Sequence, residues 1–212
     1  SHVKPLCDKV THFIEVSAEE EPENEFAEMY EKLTQGSGDN LNIERSPEDL
    51  IFIYTGGTTG MPKGVMWQGQ ALWGGLGYGK SHPCTKGNVV KDLDELKAYI
   101  KDFPYAIKQM PACPLMHATG LFSALTTLTG GGTIVTLEGL SMDPELIWET
   151  VEKEKVKSVV IVGDAFAKPL LNCLESNPGR WDLKSLKMLL SSGVMWSNSV
   201  KQGLMDHLPQ VI

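Results

Sequence analysis

Apolar residues along this 212-residue chain change their spacing from one segment to the next, and each spacing predicts an element. Ahead of residue 49 the pattern is sparse. His12–Val16 reads as a short strand. Glu23–Gln35 reads as a helix, with Phe26, Met29, Tyr30 and Leu33 at i, i+3, i+4 and i+7. A turn follows at Gly36–Asp39. Leu50–Tyr54 is a compact apolar strand rich in β-formers, and Val65–Trp67 resumes an extended pattern after a glycine-rich loop. Gln70–Tyr78 starts as a helix and is loosened by Gly74, Gly75, Gly77 and Gly79. Residues 80–108 are polar, carry Pro83, Gly87 and Pro104, and read as a surface excursion with a short helix at Asp92–Lys101.

From Met110 onward the chain alternates. Cys113–Met116 is a strand end, Gly120–Leu128 a helix, Thr133–Thr136 a strand and Asp143–Glu154 a helix. That helix has Asp143 as N-cap, Pro144 at N1 and Glu145 in its first turn. Val156–Val162 is an apolar strand, Ala165–Leu174 a helix, Met188–Ser191 a strand and Ser197–His207 a helix. Alternation of this kind, with continuous apolar strands, predicts an α/β fold: a largely parallel β-sheet with helices on both faces. Residues 1–48 are expected to be a lead-in and 49–212 the main body. Leu121–Leu137 is uncharged over a length close to a membrane span. Gly130–Gly131–Gly132 interrupts it, so the expectation is a buried helix, a turn and a strand, with no integral membrane segment.

Composition narrows the partners. With 42% hydrophobic and 22% charged residues the chain is ordinary for a soluble globular protein. A net charge of −8, with no basic cluster, disfavours nucleic acid and anionic membrane surfaces. The four cysteines, Cys7, Cys84, Cys113 and Cys173, are dispersed without a C-x-x-C pair, which fits reduced cytoplasmic thiols better than disulfides or zinc. Ser1–His2 has the look of a tag remnant, and a new apolar segment is starting as the chain reaches Ile212. The expectation is a piece of a longer protein.

Candidate chemistry centres on Tyr54–Gly64, YTGGTTGMPKG. Gly56, Gly57 and Gly60 let backbone N–H groups converge on an anion without Cβ interference. Thr55, Thr58 and Thr59 add short donors, and Lys63 adds a mobile positive charge, so the composition suits a polyphosphate. A Walker A loop is excluded, because Pro62 precedes the lysine and Gly64 follows it. A dinucleotide G-x-G-x-x-G is absent too. A glycine-rich hairpin turn with an incidental lysine remains the plain structural alternative.

YTGGTTGMPKGV resembles the signature loop of the adenylate-forming superfamily, which includes acyl-CoA synthetases, luciferase-like enzymes and peptide-synthetase adenylation domains. Two further segments match in order. Pro114–Gly120 (PLMHATG) resembles the family's P-L-x-H-x-x-G element, and Ser191–Ser197 (SSGVMWS) its S-G-G-x-P-x-S element. Between them, Val162–Ala165 with Lys168–Leu170 resembles a stretch of bacterial fatty-acyl and sterol-side-chain acyl-CoA synthetases. The likeness spans roughly residues 45–212 and implies part of the layered N-terminal domain of such enzymes.

The implied reaction joins a small-molecule carboxylic acid to ATP, giving acyl-adenylate and pyrophosphate, and the CoA thiol then displaces AMP. Both substrates of the first step are anionic, so positioning and neutralisation dominate. By resemblance, Thr55, Gly56, Gly57, Thr58, Thr59, Gly60 and Lys63 hold the β- and γ-phosphates, with Mg²⁺ sharing the charge. His117 borders the carboxylate and adenylate as the candidate catalytic and substrate-binding residue; capping the following helix is its structural alternative. Gly163 and Asp164 are implied to line the acyl tunnel, a bare Gly163 leaving room for a bulky tail. Asp164 as N-cap of the next helix is the structural alternative. Ser192, Gly193, Val194 and Met195 are implied to touch adenine and ribose, although Ser192 stands where the family has glycine and Met195 where it has proline. The family's magnesium-binding Glu, ribose-binding Asp and C-terminal Lys have no counterpart in this chain. The resemblance thus implies missing N- and C-terminal parts and an inactive isolated segment. Competing readings are a fatty-acyl-AMP ligase or peptide-synthetase adenylation domain, and a non-catalytic nucleotide-binding module.

Overall fold

The computed structural model describes residues 5, 8–16, 24–39, 41–55, 63–76, 90–101, 107–139 and 141–212. Two compact units divide at Arg45 and Ser46. In the first, β1 (Ile14–Glu15) runs parallel to β2 (Glu28–Met29), and α1 spans only Tyr30–Leu33. The helix expected over Glu23–Gln35 is therefore corrected to a single turn. Glu28 N–H donates to Phe13 O, which draws 28–29 into a strand. Phe26 meets Phe13 edge to face at 5.1 Å, and the Asn24 amide donates to Glu15 at 2.9 Å. These long-range contacts outweigh a local helical period.

The second unit opens with an antiparallel hairpin, β3 (Leu50–Thr55) against β4 (Lys63–Gln68), in register from Leu50↔Gln68 to Thr55↔Lys63. Helices α2 (Gly69–Gly75) and α3 (Leu93–Lys101) follow. Then come β5 (Lys108–Pro111), α4 (Ala118–Thr129), β6 (Thr133–Ile134), α5 (Pro144–Glu154), β7 (Ser158–Ile161), α6 (Gly163–Ser176), β8 (Met188–Ser191) and α7 (Asn198–His207). The last four strands form one parallel sheet in the order β6-β5-β7-β8. Ile212 lies beside β8, donating to Lys187 O and accepting from Leu189 N–H.

One face of this sheet, carrying Met110, Val159 and Leu189, forms the main core with Trp148, Leu170 and Leu204 from α5, α6 and α7. The opposite face holds the fully buried Val160 and is packed by α4, which touches β5, β6 and β7. The parallel sheet with helices on both faces is thus the observed architecture. The cap of α5 is as its sequence predicts: Asp143 Oδ1 accepts from Glu145 N–H at 3.0 Å and Leu146 N–H at 3.2 Å, with Pro144 in the first turn. Trp148 Nε1–H donates to Leu170 O at 3.2 Å, joining α5 to α6 inside the core.

The strand end expected at Cys113–Met116 lies earlier, at Lys108–Pro111. Pro114 has no N–H for a ladder, and its carbonyl instead accepts from His117 N–H in a turn. The polar pair Lys108–Gln109 hid the strand, although Gln109 is buried. Leu121–Thr129 is the rest of α4, Gly130–Gly132 is the turn and Thr133–Ile134 is β6. Among the described residues no helix is long and apolar enough to cross a membrane.

Candidate functional site

Parallel strands place their carboxyl ends, and the loops that leave them, along one edge of the sheet. That edge is where open α/β sheets bind ligands. Here the loops after β5, β7 and β8 deliver Pro114–His117, Val162–Asp164 and Ser192–Ser197 to one place.

His117 is the N-cap of α4, with extended backbone (φ −87, ψ 136). Its Nδ1 accepts from Thr119 N–H at 3.2 Å. An acceptor at Nδ1 carries no proton, so the neutral ring bears its proton on Nε2 as a donor. The capping role and a ligand-binding role therefore use different nitrogens and coexist.

Gly193 lies against this ring. A Cβ on Gly193 would come 3.0 Å from His117 Cε1 and 3.4 Å from Nε2, and its φ of +92 suits glycine. The P-L-M-H-A-T-G and S-S-G-V-M-W-S segments are thus in van der Waals contact. Gly163 is equally constrained, with φ +56. A Cβ there would lie 2.3 Å from Val194 Cγ2 and 2.7 Å from Met195 O. The space over Gly163 is consequently filled by the 192–196 loop, which corrects the expectation that it leaves room for an acyl tail.

Asp164 does not cap α6, whose N-cap is Val162. Its Oδ1 accepts from Ser197 N–H at 2.9 Å and from Ser197 Oγ at 3.1 Å, and Lys168 Nζ is 3.2 Å from its other oxygen. The Ser197 backbone N–H, with smaller help from the Ser197 hydroxyl and Lys168, holds the Asp164 carboxyl below its ordinary value against partial desolvation. Gly163 N–H donates to Ser191 Oγ at 2.8 Å. Ser197, at the end of the second motif, received no role from the sequence; its hydroxyl there was the available signal.

Thr55 and Lys63 are paired in the ladder at the loop end of the hairpin. Residues 56–62, which hold Gly56, Gly57, Thr58, Thr59 and Gly60, lie outside the described residues. The hairpin flanks satisfy the plain turn reading of the loop as well as the phosphate reading. Trp67 of β4 meets Phe122 of α4 edge to face at 5.1 Å, so the hairpin packs on the helix that His117 caps.

A cleft of about 460 Å³ adjoins the site, lined mostly by apolar groups that include Cys113, Leu115, Leu137, Met142 and Phe166. Burial pushes the Cys113 thiol up from its ordinary pKa. The described residues contain no group of His, Cys, Asp and Glu placed to take a metal ion.

A family model described as AMP-binding enzyme matches residues 3–212, and the chain belongs to that family. It is 35% identical over 185 residues to a 3-oxocholest-4-en-26-oate–CoA ligase of Rhodococcus rhodochrous, covering 84% of this chain and 32% of that protein. It is 35% identical over 171 residues to the medium-chain acyl-CoA ligase Mig of Mycobacterium avium, covering 80% of this chain and 30% of that protein. The chain therefore spans about a third of the length of these relatives. Among solved structures, a long-chain-fatty-acid-CoA ligase from Archaeoglobus fulgidus superposes with a TM-score of 0.60 at 23% identity, over 85% of this chain and 32% of that one. A luciferase-like enzyme from the mealworm Zophobas morio superposes with a TM-score of 0.63 at 20% identity, over 99% and 43% respectively. The fold is that of the N-terminal domains of adenylate-forming enzymes.

Proposed function

We propose that this chain is the central part of a longer ATP-dependent acid–thiol ligase that converts an apolar carboxylic acid to its CoA thioester. The observation that carries this reading is the contact of His117 with Gly193, which joins two distant motifs at the carboxyl edge of a parallel sheet. A carboxylate oxygen attacks the α-phosphorus of ATP, and the bond to pyrophosphate breaks. The CoA thiolate then attacks the acyl carbon of the adenylate and AMP leaves.

In this reading Nε2–H of His117 donates to a carboxylate oxygen and aims the other at phosphorus. Thr55, the glycines and threonines of 56–60 and Lys63 take the β- and γ-phosphates. Ser192, Gly193, Val194 and Met195 border adenine and ribose, and Gly163 and Asp164 form the wall behind them. Magnesium, when bound with the nucleotide, would spread the phosphate charge. The apolar cleft beside Cys113 supports an apolar acid, as do relatives named for fatty-acid and oxocholestenoate ligation. We assign the enzyme to the cytoplasm, an assignment supported by the free thiols of Cys113 and Cys173.

The test is acid-dependent exchange of pyrophosphate into ATP by the full-length protein, with fatty, steroid-side-chain and amino acids compared, followed by thioester formation on adding CoA. Loss of a hydrogen bond to a charged group predicts kcat/KM lower by roughly 10- to 100-fold in His117→Ala. His117→Asn keeps an acceptor for Thr119 N–H, and so separates catalysis from helix capping. Unaltered exchange in both variants would remove His117 from the reaction, and exchange with amino acids alone would replace the acyl-CoA reading.

A further inference from the structure

The 191–197 loop is fastened to the start of α6 at both ends and pressed on it in the middle. At one end Ser191 Oγ accepts from Gly163 N–H at 2.8 Å. At the other, Asp164 Oδ1 takes both the N–H and the hydroxyl of Ser197, at 2.9 and 3.1 Å. Between them Val194 and Met195 O close over the bare Cα of Gly163. The loop needs such fastening, because its own tip is open: Val194 is 58% and Met195 86% exposed. Ser197 is also the N-cap of α7 and makes no side-chain cap of its own, its hydroxyl being committed to Asp164.

We propose that Asp164 is a positioning residue for the nucleotide side of the site: it acts through Ser197 to hold the 192–196 loop, with Gly193 against His117. The inference rests on the ligase reading above and changes the part Asp164 plays within it. Both contacts of Oδ1 point at Ser197, and Lys168 occupies the other oxygen, so the carboxylate is taken up by the protein itself. A charge-assisted pair of this kind is stronger than a neutral one, which suits a brace on an otherwise exposed loop. Preorganised loops raise affinity by removing the ordering cost that binding would otherwise carry.

The experiment compares wild type with Asp164→Ala, Asp164→Asn, Ser197→Ala and the double Ala variant in the full-length protein. Kinetics are read as KM for ATP, KM for the acid, and the ranking of acids by chain length. The expected result for Asp164→Ala is a KM for ATP raised about tenfold, with the KM for the acid and the chain-length ranking unchanged. Asp164→Asn recovers most of the loss, since its amide oxygen still accepts from Ser197 N–H. The double variant is no worse than Asp164→Ala, as expected for two members of one contact.

A second readout needs no turnover. Acrylamide quenching of Trp196, isolated by subtracting the same variant carrying Trp196→Phe, increases in Asp164→Ala as the loop loosens. A changed chain-length ranking with unchanged KM for ATP overturns the proposal, as does unchanged Trp196 quenching. If wild type shows no acid-dependent exchange while Asp164→Ala still loosens Trp196, the ligase reading falls and the brace stands.

Discussion

Replacing Gly163 by alanine tests whether the loop after β8 rests on the start of α6. Two costs are expected. The first is conformational: φ at Gly163 is +56, a region that disfavours a side chain by about 1–2 kcal/mol. The second is steric. A Cβ would lie 2.3 Å from Val194 Cγ2, which can rotate, and 2.7 Å from Met195 O, which cannot move without the loop. Overpacking of that kind costs about 1–3 kcal/mol. Gly179 supplies the control, since its φ is +73 and a Cβ there meets nothing within 4 Å. Gly179→Ala should lose only the conformational part, about 1–2 kcal/mol, and Gly163→Ala about 2–5 kcal/mol in all. For a protein of this size each kcal/mol lowers the melting temperature by about 2–4 °C. Urea denaturation and thermal melts of both variants measure the difference directly. If Gly163→Ala proves as mild as Gly179→Ala, the space above Gly163 is open and the packing described for the 192–196 loop is wrong.

Three further outcomes follow from other contacts. Asp143→Ala, which removes the two-donor cap of α5, should cost about 1 kcal/mol in urea melts, with Asp143→Asn recovering most of it. Because the Asp164 carboxyl is held below its ordinary value in the folded state, its contribution is fully present above the usual carboxylate range and is lost as pH falls through the lowered value. The stability gap between wild type and Asp164→Asn should accordingly stay constant from neutral pH to about pH 5 and shrink in stronger acid. Burial raises the Cys113 thiol, so site-resolved mass spectrometry should find Cys113 unalkylated by iodoacetamide at neutral pH until the protein is unfolded.

The strand–helix alternation after Met110 was legible because each element carries its own local signal. Val159–Ile161 is a run of β-branched residues, and together with Ser158 it fills four consecutive buried positions, as a strand covered on both sides requires. Asp143–Pro144 announces the start of α5 by backbone chemistry alone. Glu23–Gln35 failed for the opposite reason: its Phe26 and Asn24 serve contacts to Phe13 and Glu15, which no local window contains. Gln109 failed likewise, since a polar residue hides a strand that burial by neighbours makes plain.

For the site the division is sharper. The sequence by itself determined the family, because three motifs in order resemble those of adenylate-forming enzymes, and it singled out the segments around His117, Gly163 and Gly193. It could not say what those glycines accommodate. Only the tertiary structure decided that Gly163 yields its space to Val194 and Met195, that Gly193 meets the His117 ring, and that Asp164 turns to Ser197. A missing side chain records that something comes close, and the identity of the neighbour is set by how parallel strands bring distant loops to one edge.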